Sequence, residues 1–184
     1  RYLGSVGTHL QRLAGGESHD KFISLFNKEE LLEKFLEVDS GYDITIFGEA
    51  YGGKQQGMSK TYGPNLKFAA FDVKIGERWL NVENASQLVN NLNLEFVHYA
   101  KTFTDLESLN KERDADSVQA IRNGVGPNLK REGVVLRPLI EMTLNNGNRV
   151  ICKHKRDDFK ETKTKRDVVD PSLLEKLTNA DLIA

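Results

Sequence analysis

The sequence predicts a mixed α/β fold, of the α+β kind, and three observations carry that prediction. Apolar spacing along the chain alternates between the two-residue period of strands and the 3.6-residue period of helices. The segment Asn145-Asn146-Gly147-Asn148 separates two apolar stretches and signals a hairpin, because Asn and Gly tolerate the positive φ of tight turns. At 184 residues the chain has the size of one domain. Such a length buries roughly two-thirds of the unfolded surface and needs no covalent staples. There is no internal repeat, low-complexity tract or Pro/Ser-rich linker.

Strand-like sequence begins at Arg1-Tyr2-Leu3. Asn27 followed by Glu30 predicts a helix start, with the Asn side chain capping free N–H groups while Glu30 reaches back. Leu31, Leu32, Phe35 and Leu36 give that helix its apolar face. Asp43 to Phe47 reads as a strand, with Gly48 to Gly53 as its end and a loop. Phe68 to Ile75 is strand-like, and Trp79 to Val82 is expected to pair back onto it through a turn at Gly76. Short helices are expected near Asn84, at Thr104 and near Asp116, the last ending at Gly124. Gly133 to Leu136 is an apolar strand, and Ile140 to Leu144 and Arg149 to Lys155 are the arms of the Asn-rich hairpin. Ser172-Leu173-Leu174-Glu175 repeats the capping pattern. Residues 1–166 are thus expected to form the main domain, with 167–184 a C-terminal helix or the start of a further one.

Composition narrows the classes. No apolar run approaches the ~18 residues of a membrane span, and no signal-peptide pattern opens the chain. The single cysteine, Cys152, has no partner for an internal disulfide, which suits a reducing compartment. Net charge is −1, but it is unevenly spread. Arg149 to Arg166 holds eight Lys/Arg against three acids, leaving 18 basic and 24 acidic residues elsewhere. One basic patch on an acidic protein points to an anionic partner met at one place, or to a solvated basic tail.

Four positions have chemical potential. Lys153 and Lys155 sit two apart on an expected strand, so both ammonium groups share one face of the sheet. Val150, Cys152 and His154 take the other face, which is expected to meet the core. Side-by-side cations suit an anion between them; alone they equally fit a solvated edge strand. Glu132 heads the strand Gly133-Val134-Val135-Leu136, a place from which a carboxylate can hold Mg²⁺ or a hydroxyl. It also fits an ordinary surface acid. Glu49 has Gly48 before it and Gly52-Gly53 after it, which permits close approach by a ligand whose ribose hydroxyl the acid accepts. Phe71, in Phe68-Ala69-Ala70-Phe71-Asp72-Val73, can offer its ring to a flat base or pack in the core.

Their order says more than any one of them. Gly48-Glu49-x-Tyr51-Gly52, then Phe68-x-x-Phe71-Asp72-Val73, then Glu132-Gly133-Val134-Val135, then Lys153-His154-Lys155 resembles the collinear motifs of the covalent nucleotidyltransferases. That superfamily holds ATP-dependent DNA and RNA ligases and mRNA capping enzymes. The segments Glu49 to Met58 and Lys153 to Glu161 resemble most closely the RNA ligase 2 type, and the likeness runs from about residue 1 to residue 166. It implies a nucleotidyltransferase fold of mostly antiparallel sheets, flanked by short helices around a nucleotide pocket.

The resemblance also implies a reaction. A lysine attacks the α-phosphate of ATP and expels pyrophosphate, AMP passes to the 5′-phosphate of an RNA end, and a 3′-hydroxyl then closes the strand and releases AMP. Lys153 and Lys155 would face the α-phosphate, Glu132 would bind Mg²⁺, Glu49 would hold the ribose and Phe71 would stack on adenine. The partners implied are RNA ends, in a nicked duplex or single-stranded, met by a monomer with no membrane association. A DNA ligase, a capping enzyme and a non-catalytic nucleotide- or RNA-binding relic are the alternatives.

The chain departs from the family pattern twice. The motif Lys-x-(Asp/His)-Gly, whose lysine takes the AMP, does not occur; with Arg1 as first residue, the chain is expected to be a fragment and the lysine to lie shortly upstream. The family's arginine on the next strand falls near Val6-Gly7-Thr8-His9, where His9 is the best positional match and Arg12 a second candidate. With His9 in that role the contact would depend on pH.

Overall fold

The computed structural model describes residues 2–5, 7–10, 19–38, 41–54 and 59–159. It holds helices and two antiparallel sheets, the mixed α+β class that the periodicities predict. The larger sheet has five strands. Strand β1 (Tyr2–Ser5) pairs with β2 (Gly7–Leu10) on one side and β3 (Ile44–Tyr51) on the other. Next come β4 (Lys67–Ile75) and the short β5 (Arg78–Trp79), giving the order β2-β1-β3-β4-β5. The smaller sheet pairs β6 (Gly133–Leu136) with β7 (Cys152–Lys155).

Six helices connect and cover the sheets within the described residues: α1 (His19–Ile23), α2 (Lys28–Val38), α3 (Ser59–Tyr62), α4 (Val82–Asn91), α5 (Leu106–Asp114) and α6 (Val118–Arg122). Asn27 caps α2 as expected, its Oδ1 accepting from Glu30 N at 3.2 Å. Glu30 does not complete a reciprocal cap; its carboxylate accepts instead from Asn93 Nδ2 at 2.9 Å, which ties α2 to the end of α4. The other starts shift by a few residues. Asn81 caps α4, Asp105 caps α5 and Ser117 caps α6, each side chain accepting the N–H three residues on. Val82, expected in a strand, therefore opens a helix instead. The capping pattern at Ser172 lies outside the described residues.

The core lies between one face of the large sheet and helices α2 and α4. Leu31, Ile44, Ile46, Ala70, Val73, Ala85, Val89, Leu92 and Phe96 form it. One feature of β4 governs this packing. Ala70 and Val73 are both fully buried in the same cluster, although residues three apart on a regular strand face opposite ways. The ladder resolves this with a bulge, since Phe47 pairs with Asp72 but Gly48 pairs with Ala70. Phe71 is the extra residue, turned out of the core and 44% exposed.

β3 consequently runs on through Gly48 and Glu49 to Tyr51, past Phe47, after which the sequence suggests an end and a loop. Gly48 is needed there for space. A Cβ on it would stand 2.2 Å from the Phe68 ring and 2.6 Å from Ala69 O.

The Asn-rich hairpin turn forms as expected, with Leu144 N donating to Asn148 O at 2.7 Å and Gly147 at φ 81°. Its arms are not continuous strands, however. They meet at an isolated bridge, Thr143 to Arg149, and β7 starts only at Cys152, where it pairs with β6. Nor does Cys152 meet the core: it is exposed.

Replacing Gly48 with Ala is expected to cost about 1–3 kcal/mol through overpacking against Phe68 and the Ala69 carbonyl. Urea unfolding should show a lower midpoint with an unchanged slope; an unchanged midpoint would mean that the strand opens freely at the bulge.

Candidate functional site

The second face of the large sheet, away from the core, carries the side chains with chemical potential. Alternation along β3 puts Thr45, Phe47, Glu49 and Tyr51 on the face opposite Ile44 and Ile46. The β6–β7 ladder adds the rest. Its register sets Gly133 opposite Lys155 and Val135 opposite Lys153, and Arg156 N donating to Glu132 O at 2.9 Å extends it by one pair. Lys153 and Lys155 therefore share a face, as their spacing predicts. The residue facing Lys155 is a glycine, so no side chain from β6 crowds that end of the ladder. A Cβ on Gly133 would lie 2.4 Å from His154 O, so this pairing tolerates nothing larger. On the opposite face His154 is half-buried against α5, its Nε2 2.8 Å from Asn110 Oδ1 and 3.4 Å from Arg113 Nη1.

Three residues from three distant stretches of chain come together electrostatically. Glu49 has a solvent-open flank, yet burial of its carboxyl is the largest influence and raises its pKa above the ordinary 4.5. The charge of Glu132 raises it further, and the charge of Lys153 opposes both. Glu49 and Glu132 thus repel each other across a shared space in which Lys153 is the compensating cation.

Tyr62 belongs to the same group, although nothing in the sequence singles it out. Burial, then Glu132 and then Glu49 push its hydroxyl pKa up, while a hydrogen bond with Ser117 pulls it down. Behind it Tyr51, edge-on to Tyr62 at 5.7 Å, accepts from Gln119 Nε2 at 2.6 Å. Gln119 also donates to Glu95 at 2.7 Å, and Asn123 accepts from Lys67 Nζ at 2.8 Å. This network anchors the far end of β3 to α6. Gly52 and Gly53 follow at φ 75° and 57°, and Gly53 N donates to Gly63 O at 3.0 Å, which brings Tyr62 back beside the strand.

The other expected positions are placed as follows. Phe71 sits at the bulge, turned out of the core and partly exposed. His9 lies on edge strand β2 opposite Leu3, in a row that continues to Thr45, four residues before Glu49 on β3. Arg12 lies outside the described residues.

Arg149 corrects the reading of the basic patch. It is mostly buried among acids, pairing with Asp72 and with Glu141 at 2.5 Å, and its guanidinium lies 4.0 Å over the Trp79 ring. It offers little to an external anion. Arg156 is likewise paired, with Asp158 at 2.7 Å, and the basic residues from Lys160 onward lie outside the described residues.

Among the described residues no group of three or more His, Cys, Asp or Glu could hold a metal ion. An all-protein cage is not what Mg²⁺ needs beside a triphosphate, because one or two carboxylates with phosphate oxygens and waters suffice. The mutual repulsion of Glu49 and Glu132 fits such a shared cation. No helix among the described residues is long and apolar enough to cross a membrane.

Two carboxylates with a lysine in their shared field suit an anionic ligand that brings its own counter-ion. A family model described as RNA ligase matches residues 7–155, and the chain belongs to that family. Membership supports a ligase with RNA as its class of substrate. A comparison with curated proteins finds no match.

The raised pKa of Glu49 has a consequence for stability. A carboxyl whose folded pKa lies above its unfolded value favours the protonated form in the fold, so it costs nothing below pH 4.5 and destabilises as pH rises through the folded value. Glu49→Gln is expected to unfold at higher urea concentration than the parent at pH 7, with the gap closing towards pH 4. A variant less stable than the parent at pH 7 would contradict the repulsion.

Proposed function

We propose that the chain is the adenylyltransferase part of an ATP-dependent RNA ligase that joins 3′-hydroxyl and 5′-phosphate ends. The observation that carries this reading is the convergence of Glu49, Glu132 and Lys153. They come from β3, from the residue before β6 and from β7, more than 80 residues apart at their first interval, and the charges of Glu132 and Lys153 act on the Glu49 carboxyl. The match to the RNA ligase family over residues 7–155 sets the reaction class.

In this reading Lys153 and Lys155 neutralise the α-phosphate as charge builds on it, which is most of what a protein supplies to phosphoryl chemistry. Their field also favours the unprotonated form of a nearby lysine nucleophile. By the resemblance that nucleophile belongs to a Lys-x-(Asp/His)-Gly motif, which does not occur in the sequence given. Glu49 accepts a ribose hydroxyl, and does so best when ionised. Phe71 offers its ring to adenine, with the bulge turning it to the open side. Glu132 would hold Mg²⁺ against the phosphates, and that ion would withdraw charge from the reacting centre. Tyr62, within the field of both carboxylates, adds a hydroxyl donor. His9 is the remaining assignment, as a pH-dependent contact to the nucleotide.

In the full-length protein Glu132→Ala is expected to abolish sealing of nicked RNA while the thermal unfolding profile stays close to that of the parent. Wild-type sealing by this variant would remove the metal role. Lys153→Ala is expected to block labelling of the protein by α-³²P ATP, and the parent should label with ATP in preference to GTP. A normal yield of protein–AMP from Lys153→Ala would displace the phosphate site, and preferential labelling by GTP would turn the reading towards a capping enzyme.

A further inference from the structure

A second charged cluster lies beside the proposed base platform. Arg137, the first residue after β6, has a side chain only 9% exposed. Its Nη1 donates to the carbonyl of Phe71 at 3.4 Å and lies 3.3 Å from Asp72 Oδ1. Its Nη2 donates to Leu80 O at 3.2 Å and to Glu141 at 3.0 Å. Arg149 closes the group by pairing with the same two acids, Asp72 and Glu141. Two arginines and two acids form a neutral, mostly buried cage, and one arm of it rests on the backbone of Phe71.

That arm falls at a telling place. Phe71 is the bulge residue, so its peptide has no regular ladder partner on β3. Arg137 supplies a donor to the carbonyl that the bulge has left aside. The direction of a side chain follows from its backbone angles and rotamer, so fixing the peptide restricts where the ring can point.

We propose that Arg137 is a positioning residue for nucleotide selection. It holds the Phe71 peptide at the bulge and thereby keeps the ring set to receive a base. This rests on the reading of Phe71 as the adenine platform. Arg137 touches no substrate in this scheme; it acts through Phe71. A lysine cannot replace it, because one ammonium group cannot span the Phe71 carbonyl, the Leu80 carbonyl and two carboxylates at once.

The test compares a ligand that has a base with one that has none. Dissociation constants for ATP and for inorganic triphosphate, each with Mg²⁺, are measured by titration calorimetry on the parent, Arg137→Lys, Phe71→Ala and the double variant. Stacking on an aromatic ring is worth on the order of tenfold in affinity. Arg137→Lys is expected to weaken ATP by about that factor and leave triphosphate unchanged. The double variant should bind ATP no more weakly than Phe71→Ala alone. Equal weakening of both ligands, or additive losses in the double variant, would overturn the positioning role. If Phe71→Ala leaves ATP affinity intact, it is the platform reading that fails, and the role of Arg137 falls with it. Glu141→Gln loosens the same cage without touching Phe71. It is expected to lower the melting temperature and keep the ratio of ATP to triphosphate affinity. A loss of that ratio matching Arg137→Lys would mean general loosening and would also overturn the proposal.

Discussion

The extra residue in β4 is the constraint on which the rest of this structure depends. It reverses the sidedness of the strand, so that Ala70 and Val73 can enter one core while Asp72 and Phe71 turn to the other side. Without it, either the upper or the lower half of β4 would present the wrong residues to helices α2 and α4. A one-residue slip of this kind usually ruins a sheet, because it moves every later side chain to the opposite face. Here it divides the labour of one strand between packing and chemistry. Gly48 on the partner strand makes the offset possible by leaving room for the Phe68 ring.

On the side facing away from the core, the dominant effect is electrostatic frustration. Burial raises the proton affinity of the Glu49 carboxyl, the nearby charge of Glu132 raises it further, and Lys153 only partly relieves it. A folding unit selected for stability alone gains nothing from such a pair. A site built to receive a polyphosphate with its metal ion does, since the incoming charges complete what the protein leaves unbalanced. The contrast with the Asp72–Arg137–Glu141–Arg149 cage is instructive. Hydrogen bonds from Arg149, outweighing burial, hold the Glu141 carboxyl below the ordinary Glu range, and the four charges balance internally. The two clusters have similar composition but opposite electrostatic character: one awaits a partner and one is complete.

Much of this architecture could be read from the chain. The apolar periods locate β4, β6 and the core helices, and Asn145 to Asn148 forms the turn that its composition suggests. Glu49, Glu132 and Lys153 stand out through the order of their motifs, and the fold brings them into one another's fields. What stayed hidden depends on pairings with no local signature. Tyr62 reaches the group because positive-φ glycines return the chain beside β3. Arg149 reads as one more member of a basic run, yet Asp72, 77 residues earlier, claims it. Cys152 shares its strand face with half-buried His154 but is exposed, since α5 meets the small sheet at Asn110 and Arg113 and period-two alternation says nothing about where a covering helix stops. Three helix caps lie one to three residues from the positions the sequence suggests, because neighbouring Asn, Asp, Ser and Thr compete for the same role.

The stacking of Arg149 over Trp79 gives the molecule an optical property. Trp79 is the sole tryptophan in the sequence, and it is held between a guanidinium at 4.0 Å and the Phe47 ring at 4.9 Å. The emission of an indole changes with the charges and water around it, so opening of the cage becomes visible in a single chromophore. Through Arg137 and Asp72 that cage is joined to the Phe71 peptide. The native chain therefore carries its own spectroscopic reporter on the state of the bulge at Phe71, with no label attached.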